Sequence, residues 1–175
     1  MKRYILSLLT AILALSAYAK EADEPDDKCV IKSFVYVATI GENNVWSVTE
    51  KIKADFLAPR HGIYQYIETR YNDLLDGELY KYSIDVTDIT VPTFKYKTEM
   101  ENDFQVIRIG DENGEVMGEM EYTINYKLHF NDDRYAKSDI LYATILGAQW
   151  RNEIKDFQFA FGFEKKLPAA FEKNF

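Results

Sequence analysis

Apolar and polar residues alternate with a period of two along most of this chain. The segment Met120–Phe130 places its apolar residues on one face, and the segment 46–56 does the same except at Glu50, a polar residue in an apolar row. Such alternation is typical of strands that bury one face. Further segments of this kind lie at 30–40, 63–71, 80–86, 93–97, 104–110 and 157–163. The pattern therefore predicts about eight β-strands.

Turn residues separate these segments, and one segment has a different period. The stretches 41–44 (GENN) and 111–115 (DENGE) predict hairpin turns, the second with the Asn-Gly pair that favours positive φ. Residues 138–147 have apolar residues at helix-like spacing between a serine and a glycine, which predicts one short helix there. We therefore expect an all-β fold, an antiparallel Ig-like β-sandwich of about eight strands with one short helix near 138–147.

The N-terminus has the pattern of a secretory signal peptide. Lys2 and Arg3 precede an apolar run at 4–16, and the small residues of AYA follow at 17–19. This pattern predicts export through the secretory pathway, to the periplasm or the extracellular space. The predicted organisation is a signal peptide at 1–19, an acidic spacer at 20–28, a β-sandwich domain at 29–168 and a C-terminal tail at 169–175.

Charge and cysteine content exclude some functions. The net charge is −8, and it becomes −10 when residues 1–19, with their two positive charges, are removed. Binding to nucleic acid or to anionic lipid depends on clustered lysine and arginine, so an acidic exported chain is a poor candidate for either. Cys29 is the single cysteine, so no internal disulfide forms, and we expect a buried thiol.

Several motifs occur together in a fixed order. They are VTEKIKADF (48–56), RHGIYQYI (60–67), VIRIGDENG (106–114), YTINYKL (122–128) and DILYATILGAQW (139–150), followed by LP (167–168). In these motifs the chain resembles the N-terminal domain of the predicted membrane proteins called domain of unknown function 2207, over roughly residues 30–168. The resemblance implies an exported, Ig-like β domain without an assigned activity.

The chain departs from that family at two places. Members have a basic and then an acidic residue after Gly-Ile-Tyr, whereas this chain has Gln65 and Tyr66. Members also continue into transmembrane helices, whereas this sequence stops at Phe175. We therefore expect either a free exported form or a fragment, with membrane association only through a partner or a missing anchor.

The stretch Pro59–Gly62 (PRHG) permits two interpretations. A guanidinium and an imidazole beside a flexible glycine are able to hold a carboxylate or a phosphate. Alternatively, Pro59 ends a strand, Gly62 takes a backbone angle closed to other residues, and Arg60 pairs with a nearby acid. We favour the second interpretation, a corner between two strands.

Aromatic residues follow this corner. Tyr64 and Tyr66 fall on one face of their strand, and Ile63 and Ile67 fall on the other. With Trp46, Trp150 and Tyr71, the two tyrosines are candidates for a sugar- or peptide-binding platform. Aromatic residues at alternate strand positions more often belong to the core, which is our expectation. The candidate binding residues are Arg60, His61, Tyr64, Tyr66 and Arg108.

Metal and catalytic motifs are weak in this sequence. Asp111, Glu112 and Glu115 lack the regular acidic spacing of a calcium loop. A second acidic loop supplies the weak calcium candidates Asp132, Asp133 and Asp139. The two histidines are distant in sequence and no GxSxG motif occurs, so we expect no metal, no cofactor and no catalytic residues.

The leading functional interpretation is a non-catalytic, exported β-sandwich that acts as an interaction or sensing module of the cell envelope. Its partner would be a protein or another envelope component, and an exposed sheet edge offers a physical route to binding. Two alternatives stay open. One is a small outer-membrane β-barrel, and the other is a hydrolase that uses two carboxylates on an envelope polysaccharide.

Overall fold

The computed structural model describes residues 26–75, 78–130, 143–147 and 149–165. Within these ranges the chain forms ten β-strands and no α-helix. The strands are β1 (Cys29–Ile40), β2 (Val45–Arg60), β3 (Gly62–Glu68), β4 (Arg70–Leu75), β5 (Glu78–Thr90), β6 (Tyr96–Glu101), β7 (Phe104–Gly110), β8 (Val116–Phe130), β9 (Glu153–Ile154) and β10 (Phe157–Phe163). In the described ranges, no helix has the length and apolar character that a membrane span requires.

The strands form two sheets. The larger sheet has the order β10-β1-β2-β8-β5-β4, with the short β9 beside β1, and the smaller sheet has the order β3-β7-β6. Most neighbours are antiparallel, but β9 and β10 both run parallel to β1. The all-β class is confirmed, and the predicted antiparallel pairing holds for every strand pair except the two that β9 and β10 make with β1. The Ig-like strand topology stays a prediction.

The core lies between the two sheets, on the faces that the alternation predicted. Strands β2 and β8 pair along most of their length at the centre of the larger sheet. Their buried apolar residues are Trp46, Val48, Ile52, Ala54, Phe56, Tyr122, Ile124, Tyr126 and Leu128. The smaller sheet contributes Ile63, Ile67, Ile107 and Ile109 to the same cluster. One shared core therefore joins the sheets face to face.

Cys29 is buried at the start of β1, as expected. Burial raises the pKa of its thiol to about 11, and the nearby Asp26 carboxylate acts in the same direction. The thiol therefore stays protonated and unreactive at neutral pH.

Three local predictions, two turns and one helix, have different outcomes in the structure. The turn at 41–44 joins the antiparallel pair β1 and β2 and is confirmed. The turn at 111–115 joins β7 to β8, which lie in different sheets, so the hairpin predicted there is wrong. The predicted helix is also wrong for residues 143–147, which are not helical, and its first part (138–142) lies outside the described residues.

Strand β10 exposes a row of phenylalanines at the end of the larger sheet. Phe157, Phe159, Phe161 and Phe163 are between 37% and 59% exposed. They pair in register with Phe34, Tyr36, Ala38 and Ile40 of β1 and lie on the same face. The burial expected for alternating aromatic residues is therefore wrong here, because β10 forms the end of its sheet.

The difference between β1 and β10 predicts unequal costs for the same substitution. Phe34 is fully buried and packs against the rings of Trp150 and Phe157, whereas Phe159 is 59% exposed. We expect Phe34→Ala to lower the free energy of unfolding by about 3–5 kcal/mol, because it leaves a cavity in the core. Phe159→Ala should cost less than about 1 kcal/mol. Urea denaturation of the two variants measures this contrast, and equal losses would contradict the assignment of Phe159 to the surface.

Candidate functional site

The chain passes from the larger sheet to the smaller one at the corner between β2 and β3. The register between β2 and β8 shifts between Phe56 and Arg60, so that Pro59 lies in an irregular part of the strand. A proline fits such a bulge because no ladder hydrogen bond needs its missing N–H. Strand β2 ends at Arg60, one residue beyond the predicted end, and His61 forms the bend.

Two facing glycines make the corner possible. Gly62 and Gly110 pair in register between β3 and β7, with φ of 132° and 140°. A Cβ on Gly62 would lie 1.8 Å from the carbonyl oxygen of Ile109, and a Cβ on Gly110 would lie 1.8 Å from that of His61. The backbones therefore approach closer than any side chain permits.

Polar contacts complete the corner. Arg60 Nη2 donates to Asp26 Oδ1 at 2.5 Å, and the Nδ1–H of His61 donates to the carbonyl of Gly114 at 3.0 Å. The interpretation of PRHG as a strand corner is therefore confirmed. The corner also forms one end of a cleft.

The cleft has a volume of about 1430 Å³ and extends from the corner across the smaller sheet. All five candidate binding residues line it: Arg60, His61, Tyr64, Tyr66 and Arg108. Its aromatic lining also includes Phe56, Phe94, Tyr96 and Trp150. The structure thus brings together residues that the sequence places up to 48 positions apart, from Arg60 to Arg108.

The cleft carries more positive than negative charge. Five lysines and arginines line it (Arg60, Lys95, Lys97, Arg108 and Arg151), against three acids (Asp26, Asp111 and Glu112). In the whole chain the ratio is reversed, with 21 lysines and arginines against 29 acids. The cleft is therefore locally suited to an anion.

Neighbouring lysines favour the ionised form of two acids of the cleft, Asp111 and Glu112. Lys95 Nζ lies 2.6 Å from Asp111 Oδ2, and Lys97 Nζ lies 2.7 Å from Glu112 Oε1. The hydrogen bonds from Lys95 and Lys97 lower the pKa values of Asp111 and Glu112 respectively. Because both carboxylates are exposed and ionised, neither holds a proton for general-acid catalysis at neutral pH.

Tyrosine rings and an arginine form the exposed face of the smaller sheet. The rings of Tyr64 and Tyr66 lie 6.3 Å apart at an interplanar angle of 18°, and Phe104 meets Tyr66 edge-on at 6.2 Å. Arg108 is the cross-strand partner of Tyr64, and its guanidinium lies 5.2 Å from the centre of the Tyr64 ring. This cation–π contact holds the guanidinium beside the ring. Its two terminal nitrogens each lie 4.0 Å from a carboxylate oxygen, one of Glu99 and one of Glu112. Only Tyr71 and Trp46 of the candidate platform are buried.

The sequence patterns did not identify a series of hydrogen-bonded polar side chains that lies beneath the cleft. Glu50 is fully buried, and its Oε1 accepts hydrogen bonds from Gln65 Nε2 at 2.9 Å and from the Tyr126 hydroxyl at 2.6 Å. The indole N–H of Trp150 donates to Gln65 Oε1 at 3.0 Å. Burial raises the pKa of Glu50 to about 7, although the hydrogen bonds from Tyr126 and Gln65 act against it. The available signal was Glu50 itself, the polar residue in the apolar row of 46–56.

The structure gives no support to a metal in the residues it describes. No group of three or more histidine, cysteine, aspartate or glutamate side chains that would hold an ion occurs in the described ranges. The weak calcium candidates Asp132, Asp133 and Asp139 lie outside those ranges.

The two packed sheets and the cleft at their corner define an all-β, sandwich-like domain. The chain belongs to the family described as the N-terminal domain of predicted membrane proteins (DUF2207), whose sequence model matches residues 30–169. The resemblance seen in the sequence motifs is therefore confirmed. The family has no assigned biochemical role.

Some solved structures are distantly similar to this chain. A native LTA4 hydrolase from yeast is 10% identical, with a TM-score of 0.39, over 65% of this chain and 18% of that one. An M1 zinc metallopeptidase from Deinococcus radiodurans is 5% identical, with a TM-score of 0.35, over 60% of this chain and 21% of that one. This chain thus spans about a fifth of the length of these proteins. Comparison with curated proteins found no match.

Proposed function

We propose that this domain is a non-catalytic interaction module of the cell envelope that binds an extended, acidic segment of a partner protein. The segment would lie in the corner cleft and pair with strand β3. The observation that carries this proposal is the position of β3, an edge strand whose residues line a cleft with an excess of positive charge.

Strand β3 has the backbone needed for such pairing. It bonds to β7 on one side, and no other described strand pairs with its second side. An added strand would use the unpaired N–H and C=O groups of that edge, which is a common mode of peptide recognition. Tyr64 and Tyr66 project from the same strand into the cleft and would contact alternate side chains of the partner.

The charges of the cleft select an acidic partner. Arginine holds a carboxylate with two parallel hydrogen bonds, and Arg108 is held in place by its contact with Tyr64. The partner's carboxylates would share or replace the ion pairs that Lys95 and Lys97 make with the acids of the turn at 111–113.

The described acids support a role without catalysis. A hydrolase with two carboxylates needs one of them protonated at working pH, with its pKa raised. The cleft carboxylates Asp111 and Glu112 have lowered pKa values. The one described acid with a raised pKa, Glu50, is enclosed in the core.

The location in the envelope rests on two observations. Residues 1–19 have the charge and hydrophobic pattern of a signal peptide. The family to which the chain belongs consists of N-terminal domains of predicted membrane proteins.

A labelled peptide tests the binding proposal. The probe is a fluorescein-labelled peptide that alternates glutamate with threonine, and its binding is followed by fluorescence anisotropy at low and high salt. We expect saturable binding that weakens with salt, because exposed charges are screened. Arg108→Ala should reduce the affinity at least about tenfold, since a hydrogen-bonded charge pair contributes about 1.5–3 kcal/mol.

Two controls separate recognition from general attraction. Arg70→Ala removes an exposed arginine that pairs with Asp103 and does not line the cleft, so it should leave the affinity unchanged within about twofold. A peptide that alternates glutamine with threonine should bind weakly. Equal effects of the two arginine substitutions, or equal binding of both peptides, would refute the proposal.

A further inference from the structure

A chain of hydrogen bonds connects the centre of the core to the wall of the corner cleft. It runs from Tyr126 on β8 to Glu50 on β2, then across to Gln65 on β3 and on to Trp150. Trp150 is half-buried and lines the cleft, whereas the other three members are buried. This series of hydrogen bonds therefore reaches the protein surface at Trp150.

Only one of the two carboxyl oxygens of Glu50 has hydrogen-bond partners in the described structure. Both of its hydrogen-bond donors reach Oε1, and Oε2 is buried without a partner in the described structure. A neutral carboxyl tolerates such a position far better than an ionised one, because a buried charge needs donors at both oxygens. Ionisation of Glu50 would thus require water or a rearranged side chain at Oε2.

We propose that the protonation state of Glu50 sets the position of Trp150 in the cleft wall, with Gln65 as the link. When Glu50 ionises, the Gln65 amide reorients towards the carboxylate, its bond to the Trp150 indole weakens, and the indole moves outward. Trp150 is the member that moves because the cleft leaves space beside it. The consequence for ligand binding rests on the proposed function of the cleft.

The neighbours of Glu50 identify it as the group that titrates. Tyr36 of β1 and Tyr126 of β8 face it, and burial raises the pKa values of both phenols, so they stay neutral between pH 5 and 9. The third facing residue, Gln65 of β3, does not ionise. No lysine, arginine or histidine in the described ranges contributes to the pKa of Glu50, which burial raises to about 7.

Tryptophan fluorescence of the full chain without ligand tests this inference. The chain has two tryptophans, and Trp46 is buried and donates to Asn44 rather than to Gln65. Between pH 5 and 9 we expect a shift of emission to longer wavelength with a midpoint near pH 7, at constant far-UV circular dichroism. Glu50→Gln should abolish the shift because its side chain is neutral at every pH, and Trp150→Phe should abolish it because the reporter is gone.

Each result has a defined meaning. Loss of the shift in both variants supports the inference. An unchanged shift in Glu50→Gln, an unchanged shift in Trp150→Phe, or no shift in the native chain would overturn it. Glu50→Gln keeps both tryptophans and every other ionisable residue, so a shift with any cause other than Glu50 would persist in that variant.

The same variants separate this inference from the proposed function. If the acidic peptide binds, its affinity should fall at least about fivefold from pH 6 to pH 8.5 in the native chain and change less in Glu50→Gln, by the reciprocity of coupled equilibria. If the peptide does not bind at any pH but the fluorescence shift depends on Glu50, the proposed function fails and the coupling stands. If the peptide binds equally at both pH values in the native chain, the coupling to the ligand fails.

Discussion

Between pH 5 and 9 the free energy of unfolding of the native chain is expected to fall by about 3 kcal/mol because Glu50 ionises. Glu50→Gln should not show this fall. Burial raises the pKa of Glu50 from 4.5 to about 7 in the folded state. Each unit corresponds to about 1.4 kcal/mol, so the shift of roughly 2.5 units gives about 3 kcal/mol. Because the folded state binds the proton more tightly, this stability is complete below pH 4.5 and is lost as pH rises through 7.

Urea denaturation at pH 5, 7 and 9 measures this effect as the difference between native chain and variant. Glutamine leaves an unpaired N–H₂ in place of Oε2, which costs a constant amount at every pH and cancels in the trend. Glu119→Gln is the matched control. Its exposed carboxylate has a pKa lowered to about 2 by hydrogen bonds from Lys32 and Lys53, so its removal should not change the slope above pH 5. A parallel slope for native chain and Glu50→Gln would show that Glu50 is ionised in the folded state throughout.

Replacing Gly62 by alanine is expected to destabilise the domain by at least about 3 kcal/mol or to prevent folding. The new Cβ would lie 1.8 Å from the carbonyl oxygen of Ile109, and φ of 132° is closed to alanine. Relief requires separation of β3 from β7 at the corner, which also opens the cleft. Equilibrium urea denaturation and far-UV circular dichroism measure the loss.

Two other glycines provide a graded control. Gly162 in β10 has nothing within 4 Å of an added Cβ and no positive φ, so Gly162→Ala should change stability by less than about 0.5 kcal/mol. Gly118 in β8 also has open space but a φ of 78°, so Gly118→Ala should cost about 1 kcal/mol. If Gly62→Ala were as stable as Gly162→Ala, the close approach of the two backbones at the corner would be wrong.

Most of the strands were predictable because each depends on its own residues. The alternation in 46–56 and 120–130 identified the buried faces of β2 and β8, and the turn at 41–44 identified β1 as the neighbour of β2. The errors concern which strands pair with one another in a sheet. The segment 63–71 reads as one strand, but the chain changes sheets at Thr69, so it forms β3 and β4. Likewise, the turn at 111–115 has hairpin chemistry but connects two sheets.

The candidate site was predictable in its residues and not in its arrangement. PRHG, Tyr64, Tyr66 and Arg108 were chosen for their chemistry, and the cleft contains all of them. The facing glycine of the corner, Gly110, was not identified, because its role depends on a backbone 48 positions away. The structural and functional interpretations of PRHG are also compatible, since the corner is one end of the cleft.

The sequence by itself determined the all-β class, the buried faces of the central strands β2 and β8, and the family. These follow from local alternation and from motif order, which need no knowledge of distant neighbours. Only the tertiary structure decided that Glu50 belongs to a series of buried hydrogen bonds and that this series reaches the cleft at Trp150. Tyr126 is 76 positions from Glu50, and Trp150 is 85 positions from Gln65. A polar residue in an apolar row indicates an unusual position, but the sequence does not show its partners. The packing of the two sheets determines those partners, and it also produces the burial that raises the pKa of Glu50.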